Sequence, residues 1–446
     1  MDLEGFARRS ILKGKSENEI ISELEKAIKE FKKWEADKRH LFAKAVYDEV
    51  QTTLQYKGLK DEFLKDLIAF PKANVDMGEF GVGSRGEGDF FVHRKLSEII
   101  GETGAVVDAT QQDDAGVVAA KGDFVTVAVD GIHSRLSEFP FLGGFHVARA
   151  ALRDVYVMGS KPVALISDLH LADDGDIGKI FDFTAGVSSI ADLTGTPLVA
   201  GSTLRVGGDM VFGDRLVSAV GAVGISDKKP KARKNAEEGD IILMTEGRGG
   251  GTITTIALYH GYFDAIKLTL NVEFMDCCDS LIKKGLLKHV HAMTDVTNGG
   301  LRGDAIEISK TANKQLIFTE ESLRKTVHPQ ILKLLEDLKI DYLGISTDSL
   351  MIILPEDHVN DVKKSLKRVT KVHEVGCVEA GDGVKMVSER EYELKPLFRE
   401  SAYTKVKGVV GEIEPEDMRE KMGSLEDAKS KAIKKKDKIV DFIRRS

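Results

Sequence analysis

Asp113, Asp114, Asp130, Asp154 and Asp295 are the residues whose types and spacing could do chemistry in this 446-residue chain. They sit in Gln-Gln-Asp113-Asp114-Ala-Gly, Val-Ala-Val-Asp130-Gly, Ala-Leu-Arg-Asp154-Val-Tyr-Val-Met-Gly and Met-Thr-Asp295-Val-Thr-Asn-Gly-Gly-Leu. A Gly-rich run, Gly81-Val-Gly83-Ser84-Arg85-Gly86-Glu-Gly88-Asp89, precedes them. Magnesium is a hard cation, usually held by a few carboxylates together with substrate phosphates. Glycine backbone can approach phosphates closely and point N–H groups at them. A single Asp at a strand end is more often a cap or turn residue. The joint pattern carries the reading: a magnesium–nucleotide site with the five aspartates as metal ligands. Gly81, Gly83, Ser84, Arg85, Gly86 and Gly88 would lie on the nucleotide, where Arg85 can pair with phosphate.

The elements that must position these residues are legible in outline. Phe124–Val129 alternates as a strand should and delivers Asp130 at its end. Gly143 to Met158 carries Phe145, Val147, Ala148, Ala151, Leu152 and Val155 at the spacing of a helix buried on one face. Val163–Ser167 and Leu216–Gly224 read as buried strands. Lys228-Lys-Pro-Lys-Ala-Arg-Lys reads as a solvated linker, or as a rim for an anionic ligand. Downstream, Gly239–Thr245 is a strand and Glu246-Gly-Arg-Gly-Gly-Gly-Thr opens a helix. That junction could bind phosphate at the helix N-terminus. It falls short of a Walker motif because no Gly-Lys-Ser/Thr follows, and the turn is read as structural. Leu350–Pro355 is a strand and His358 to Val369 a helix.

Residues 1–70 form a charged, periodic helical extension. Ser16-Glu-Asn-Glu19 is a capping box followed by Ile20, Ile21, Leu24, Ile28 and Phe31, and a second stripe runs through Leu41, Ala45, Val46 and Val50. Residues 71–226 would make an N-terminal αβ domain with a Gly-rich lid, and 237–386 a second αβ domain. Residues 387–446 read as a helical C-terminal extension whose Lys/Arg-rich end is a charged helix face or a contact for an acidic partner.

With 42% hydrophobic residues the chain can bury substantial cores. It has no apolar run long enough to span a membrane. Met-Asp-Leu-Glu-Gly-Phe lacks the apolar stretch of a signal peptide, so a cytoplasmic location is expected. Three cysteines cannot form a disulfide framework, and buried structural thiols are expected. A net charge of −8 argues against bulk nucleic-acid binding.

Over roughly residues 80–386 the joint pattern resembles one superfamily. Its members are aminoimidazole ribonucleotide synthetase, selenophosphate synthetase, thiamine-monophosphate kinase and the hydrogenase-maturation dehydratase. Asp113-Asp114-Ala resembles the Asp-Asp-Ala turn of the kinase and selenophosphate members. Arg-Asp154-Val-Tyr-Val-Met-Gly-Ser-Lys-Pro is similar to their Ser-Asp-Ile-Tyr-Ala-Met-Gly-Gly-Lys-Pro signature. Thr294–Leu301 is similar to the Asp-Val-Thr-Gly-Phe-Gly-Leu segment that opens their second domain's helix.

The resemblance implies a two-domain α/β (α+β) fold and a homodimer built through first-domain sheets. It also implies an ATP site near that interface, closed by a mobile Gly-rich segment, with Thr203 and Asn298 added to the nucleotide contacts. The implied activity is ATP-dependent phosphorylation of a small-molecule acceptor with Mg2+, as in a kinase or ligase-type synthetase. The alternative is a non-catalytic nucleotide-binding assembly or regulatory protein. Ala200-Gly201-Ser202-Thr203 stands where the kinase members carry Gly-Gly-Asp-Thr, so one of their acids is missing. The Gly-rich segment and the tail lack the reactive cysteines of the selenophosphate and hydrogenase-maturation members. No general base is singled out among His93, His133 and His170.

Overall fold

Phe124–Val129 and Leu216–Val223 become neighbouring strands in the computed structural model of the chain, which describes residues 1–411 and 414–445. The first sheet holds β1 (Gly116–Ala120), β2 (Asp123–Gly131), β3 (Lys161–Leu171), β4 (Leu198–Arg205) and β5 (Leu216–Ser226), in the order β1-β2-β5-β3-β4. All its pairs are antiparallel except β3 with β4. One face packs on the helices Pro140–Val157 and Gly178–Thr194 through Leu165, Leu169, Val220 and Ala222.

Proline opens the helix Pro140–Val157 where its missing N–H costs nothing. The one-faced burial read for this helix is corrected by the structure. It is buried almost all round, because it lies between the first sheet and the second domain, touching β2, β5 and the helix Glu273–Lys283. A helix hydrophobic on most sides belongs in an interior, and this one carries Asp154 into the space between the domains.

The second sheet contains β6 (Ile241–Thr245), β7 (Ala292–Asp295), β8 (Gln315–Thr319), β9 (Leu350–Leu354), β10 (Val372–Glu379), β11 (Val384–Val387) and β12 (Glu391–Glu393). Their order is β12-β11-β8-β10-β6-β9-β7. Every residue of β9 is buried, as a strand covered on both faces requires. Cys277 and Cys278 are buried in the helix Glu273–Lys283, and Cys377 is half-buried on β10.

At the N-terminus the capping box forms, with Ser16 N–H donating to Glu19 Oε2 at 2.8 Å. The second stripe is shifted: Ala43, Val46 and Val50 face the bundle while Leu41 and Ala45 are exposed. These helices bury Phe212 of the first domain, and Lys32 reaches Asp173 at 2.6 Å.

Beyond residue 387 the chain is less helical than read. β12 joins the sheet, residues 394–404 form neither helix nor strand, and the helices Lys405–Val410 and Met418–Arg445 follow. The basic face of the last helix meets this chain's own acids, with Lys438 on Asp66 at 3.0 Å and Lys429 on Glu98. Among the described residues no helix is long and apolar enough to cross a membrane.

Candidate functional site

All five aspartates line one cavity of about 660 Å³ between the two domains. Asp113 and Asp114 come from the turn before β1, Asp130 from near the end of β2, and Asp154 from the helix Pro140–Val157. Asp295 is the last residue of β7. Four come from the first domain and one from the second, so closure of the domain pair is what assembles the set.

Burial, and for Asp114, Asp130, Asp154 and Asp295 repulsion by neighbouring carboxylates, hold all five acids above the usual carboxylate range. The shift is greatest for Asp154, which hydrogen-bonds Asp130. Three guanidiniums, of Arg153, Arg233 and Arg85, oppose these shifts. Arg153 Nη2 stands 3.2 Å from Asp295 Oδ2 without a hydrogen-bond geometry. Arg233 is fully buried; it pairs with Asp114, donates to Thr294 Oγ1 at 2.9 Å and lies 3.7 Å from Asp304. Its backbone N–H donates to Asp113 at 2.9 Å. The basic run 228–234 is therefore not simply a solvated linker, since its arginine is the counter-charge of the acid cluster.

Asp114 Oδ2 and both carboxylate oxygens of Asp295 are buried without a hydrogen-bond partner. Orphaned hard oxygens among repelling acids fit a divalent cation such as magnesium. Among the described residues no three His, Cys, Asp or Glu side chains form a ready-made cage. This donor set suits an ion that also takes ligands from its substrate.

Of the Gly-rich segment only Gly83, Arg85 and Asp89 reach the cavity. Gly81, Ser84, Gly86 and Gly88 do not line it. Asp89, wholly buried, accepts the N–H groups of Gly83 and Arg85 at 2.8 Å each. Its carboxylate thus satisfies two backbone N–H groups of the turn. Gly86 and Gly88 serve close packing instead: a Cβ on Gly86 would strike the Phe398 carbonyl, and one on Gly88 that of Phe80. Arg85 adopts a left-handed backbone (φ 58°) and lies 3.7 Å from Asp304.

Asn298 lines the cavity and accepts a hydrogen bond from Thr252 Oγ1 at 2.7 Å. Thr203 is not brought in. It lies exposed on the edge strand β4, whose burial pattern leaves nearly the whole strand open. His170 sits with Asp168 away from the cavity, whereas His93 and His133 line it.

Sequence reasoning missed several groups. Arg149 and Arg153, one helical turn apart, both pair with Asp348; their i,i+4 spacing beside Asp154 was the available signal. Gly250, Gly251 and Thr252, at the junction read as structural though able to bind phosphate at its helix start, open the helix Gly251–His260 onto the cavity. Free N–H groups at a helix start favour anions, and both arginines lie near Gly250. Glu400, Tyr403 and Lys407 reach the wall from beyond the second sheet. No local motif marked them.

The fold and cavity define a two-domain αβ protein with an acid-lined cleft between its domains. The chain belongs to the AIR synthase related family, whose N-terminal domain matches residues 112–226 and whose C-terminal domain matches residues 237–389. An uncharacterized protein of Methanocaldococcus jannaschii is 57% identical over all of this chain and 98% of its own length. A selenide, water dikinase of Myxococcus xanthus is 28% identical over 49% of this chain and 61% of that protein. The solved HypE–HypF complex contains a chain of the same fold, with a TM-score of 0.57 at 17% identity, covering 69% of this chain and 99% of that one.

Proposed function

We propose that this protein is a magnesium-dependent, ATP-using phosphotransferase or ligase-type enzyme that phosphorylates a small-molecule acceptor. The observation carrying this reading is the convergence of five aspartates from both domains with Arg149, Arg153 and an open helix N-terminus on one cavity. A dikinase among its relatives is consistent with it. The Gly-rich turn, Asn298 and Thr252 would lie along the nucleotide. Magnesium, when bound, would neutralise polyphosphate charge and favour in-line attack. Asp113, Asp114, Asp130, Asp154 and Asp295 would hold it. Arg149 and Arg153 would orient and stabilise the transferring group, while the closed domain pair excludes water.

Isothermal titration should detect ATP binding in the presence of magnesium and lose it when EDTA is added. ATP binding that is indifferent to EDTA would remove magnesium from the site.

The Gly-rich segment would act as a lid. Hydrogen exchange across residues 81–89 should slow when a non-hydrolysable ATP analogue is added with magnesium; equal exchange would leave the segment a structural turn.

A homodimer through the first sheet is part of the same proposal. Its uncovered face presents Val127, Val129, Ile166, Val217 and Ile225, each at least 43% exposed. An apolar face of this kind marks an interaction surface, and an obligate interface buries on the order of 2,000 Å² or more. Light scattering should give a dimer for the full chain and a monomer for Ile166→Asp. A monomeric parent protein would end this part of the proposal.

A further inference from the structure

Glu400, Tyr403 and Lys407 lie past residue 389, where the match to the family's C-terminal domain stops, yet they share the cavity with the aspartates. The segment bearing them is a pinned strap. Glu87 N–H donates to the Leu397 carbonyl at 2.9 Å, and Ser401 N–H donates to the Gly344 carbonyl at 3.0 Å. Thr404 caps the short helix that carries Lys407. The strap therefore ties the Gly-rich turn to the second domain, and its fixed backbone determines where its side chains stand.

Those side chains offer acceptors that no donor fills. Glu400 is only 5% exposed; Lys407 Nζ pairs with Oε1, and Oε2 has no hydrogen-bond partner. An unsatisfied buried oxygen of this kind costs stability unless a donor is brought to it.

Tyr403 adds a second acceptor by a chain of hydrogen bonds. The Thr255 hydroxyl donates to the Gly251 carbonyl at 2.8 Å, so its oxygen accepts from His133 Nδ1 at 3.2 Å. That assigns the ring proton to Nδ1 and leaves Nε2 to accept from the Tyr403 hydroxyl at 2.8 Å. Burial, with Lys407 and Arg135 nearby, pushes His133 down to about 4, so the neutral ring this chain requires is the form present at pH 7. The Tyr403 oxygen keeps its lone pairs for another donor.

We propose that the strap builds the recognition pocket for the acceptor substrate, and that it takes a small molecule with an N–H-bearing cationic group, an ammonium or amidinium, seated against Glu400 and Tyr403. The word acceptor rests on the phosphoryl-transfer reading; the pocket and its chemistry do not. Both strap groups present unfilled acceptor oxygens to the cavity, which suits a group that brings its own N–H donors.

Saturation-transfer NMR on the full-length, metal-free protein tests the pocket with three probes: ethanolamine, tetramethylammonium and glycolate. Ethanolamine should give a signal that falls at least fivefold in Glu400→Gln and by a smaller factor in Tyr403→Phe. Tetramethylammonium has the charge but no N–H, so its signal should fall less than that of ethanolamine in Glu400→Gln and stay unchanged in Tyr403→Phe; glycolate should give none. An absent ethanolamine signal, one unchanged in both variants, or an equal loss for tetramethylammonium would overturn the pocket. Should Glu400→Gln fail to fold, Tyr403→Phe, which keeps the ring packing, carries the decision. ATP–magnesium titration is read separately. Ethanolamine binding through Glu400 without ATP binding would sink the phosphoryl-transfer reading and support the pocket, and the reverse result would sink the pocket alone.

Discussion

Replacing Arg233 by Met should lower the unfolding free energy of the metal-free protein by about 3–5 kcal/mol at pH 7.5. The methionine fills similar space, so packing is largely retained and the loss is electrostatic. Arg233 is 0% exposed and is the counter-charge beside Asp113, Asp114 and Asp304. Removing it leaves three buried acids with no adjacent guanidinium but Arg85.

The deficit should also shrink on acidification, for a definite reason. Asp304 is raised to about 7 in the folded protein, by burial first and by neighbouring acids second, even with Arg233 in place. An unfolded Asp titrates near about 3.9. Between those values the folded state binds more protons than the unfolded state, so stability falls as pH rises from about 4 through about 7. Without Arg233 the acids shift further upward and this fall steepens. Urea unfolding of parent and variant at pH 5 and pH 7.5, with EDTA, checks both statements. A variant as stable as the parent at pH 7.5 would show that Arg233 is not the counter-charge described.

Asp130→Asn and Asp295→Asn should each weaken binding of ATP with magnesium on the order of a hundredfold, the upper end of losses seen when a metal's supporting groups are removed. Asp130 shares a hydrogen bond with Asp154, and both oxygens of Asp295 are orphaned. Asparagine keeps the shape but removes a carboxylate donor. The same substitutions should leave the metal-free unfolding midpoint unchanged or higher, because each deletes a buried charge that repels its neighbours. Combining lost binding with kept stability separates a ligand from a structural residue. Titration calorimetry and thermal unfolding on the same samples read both. Two variants that bind ATP and magnesium as the parent does would refute the metal assignment.

Three of the five strands of the first sheet and the helix bearing Asp154 were legible because strand alternation and helical spacing are local properties. Ser16-Glu-Asn-Glu19 likewise announces its own cap. Errors arose where partners are remote in sequence. Leu41 is apolar at a helical position, yet the bundle turns Ala43 inward instead, beside the expected Val46 and Val50. Gly86 and Gly88 look like phosphate-binding glycines, but what demands them is the close approach of the Phe398 and Phe80 carbonyls. Thr203 follows a family pattern and stands on an exposed strand outside the cavity of its own chain.

The sequence by itself determined the set of aspartates and the family, because short motifs carry both, and the two-domain α/β fold followed from the resemblance to that family. Only the tertiary structure decided what surrounds those acids. Arg233 arrives from an apparent linker, Asp348 from the segment before β9, and Glu400 with Tyr403 from the strap. None has a local signature, because a buried charge is selected by the opposite charge that folding places beside it, and that neighbour lies more than a hundred residues away in the pairs Arg233–Asp114 and Arg149–Asp348.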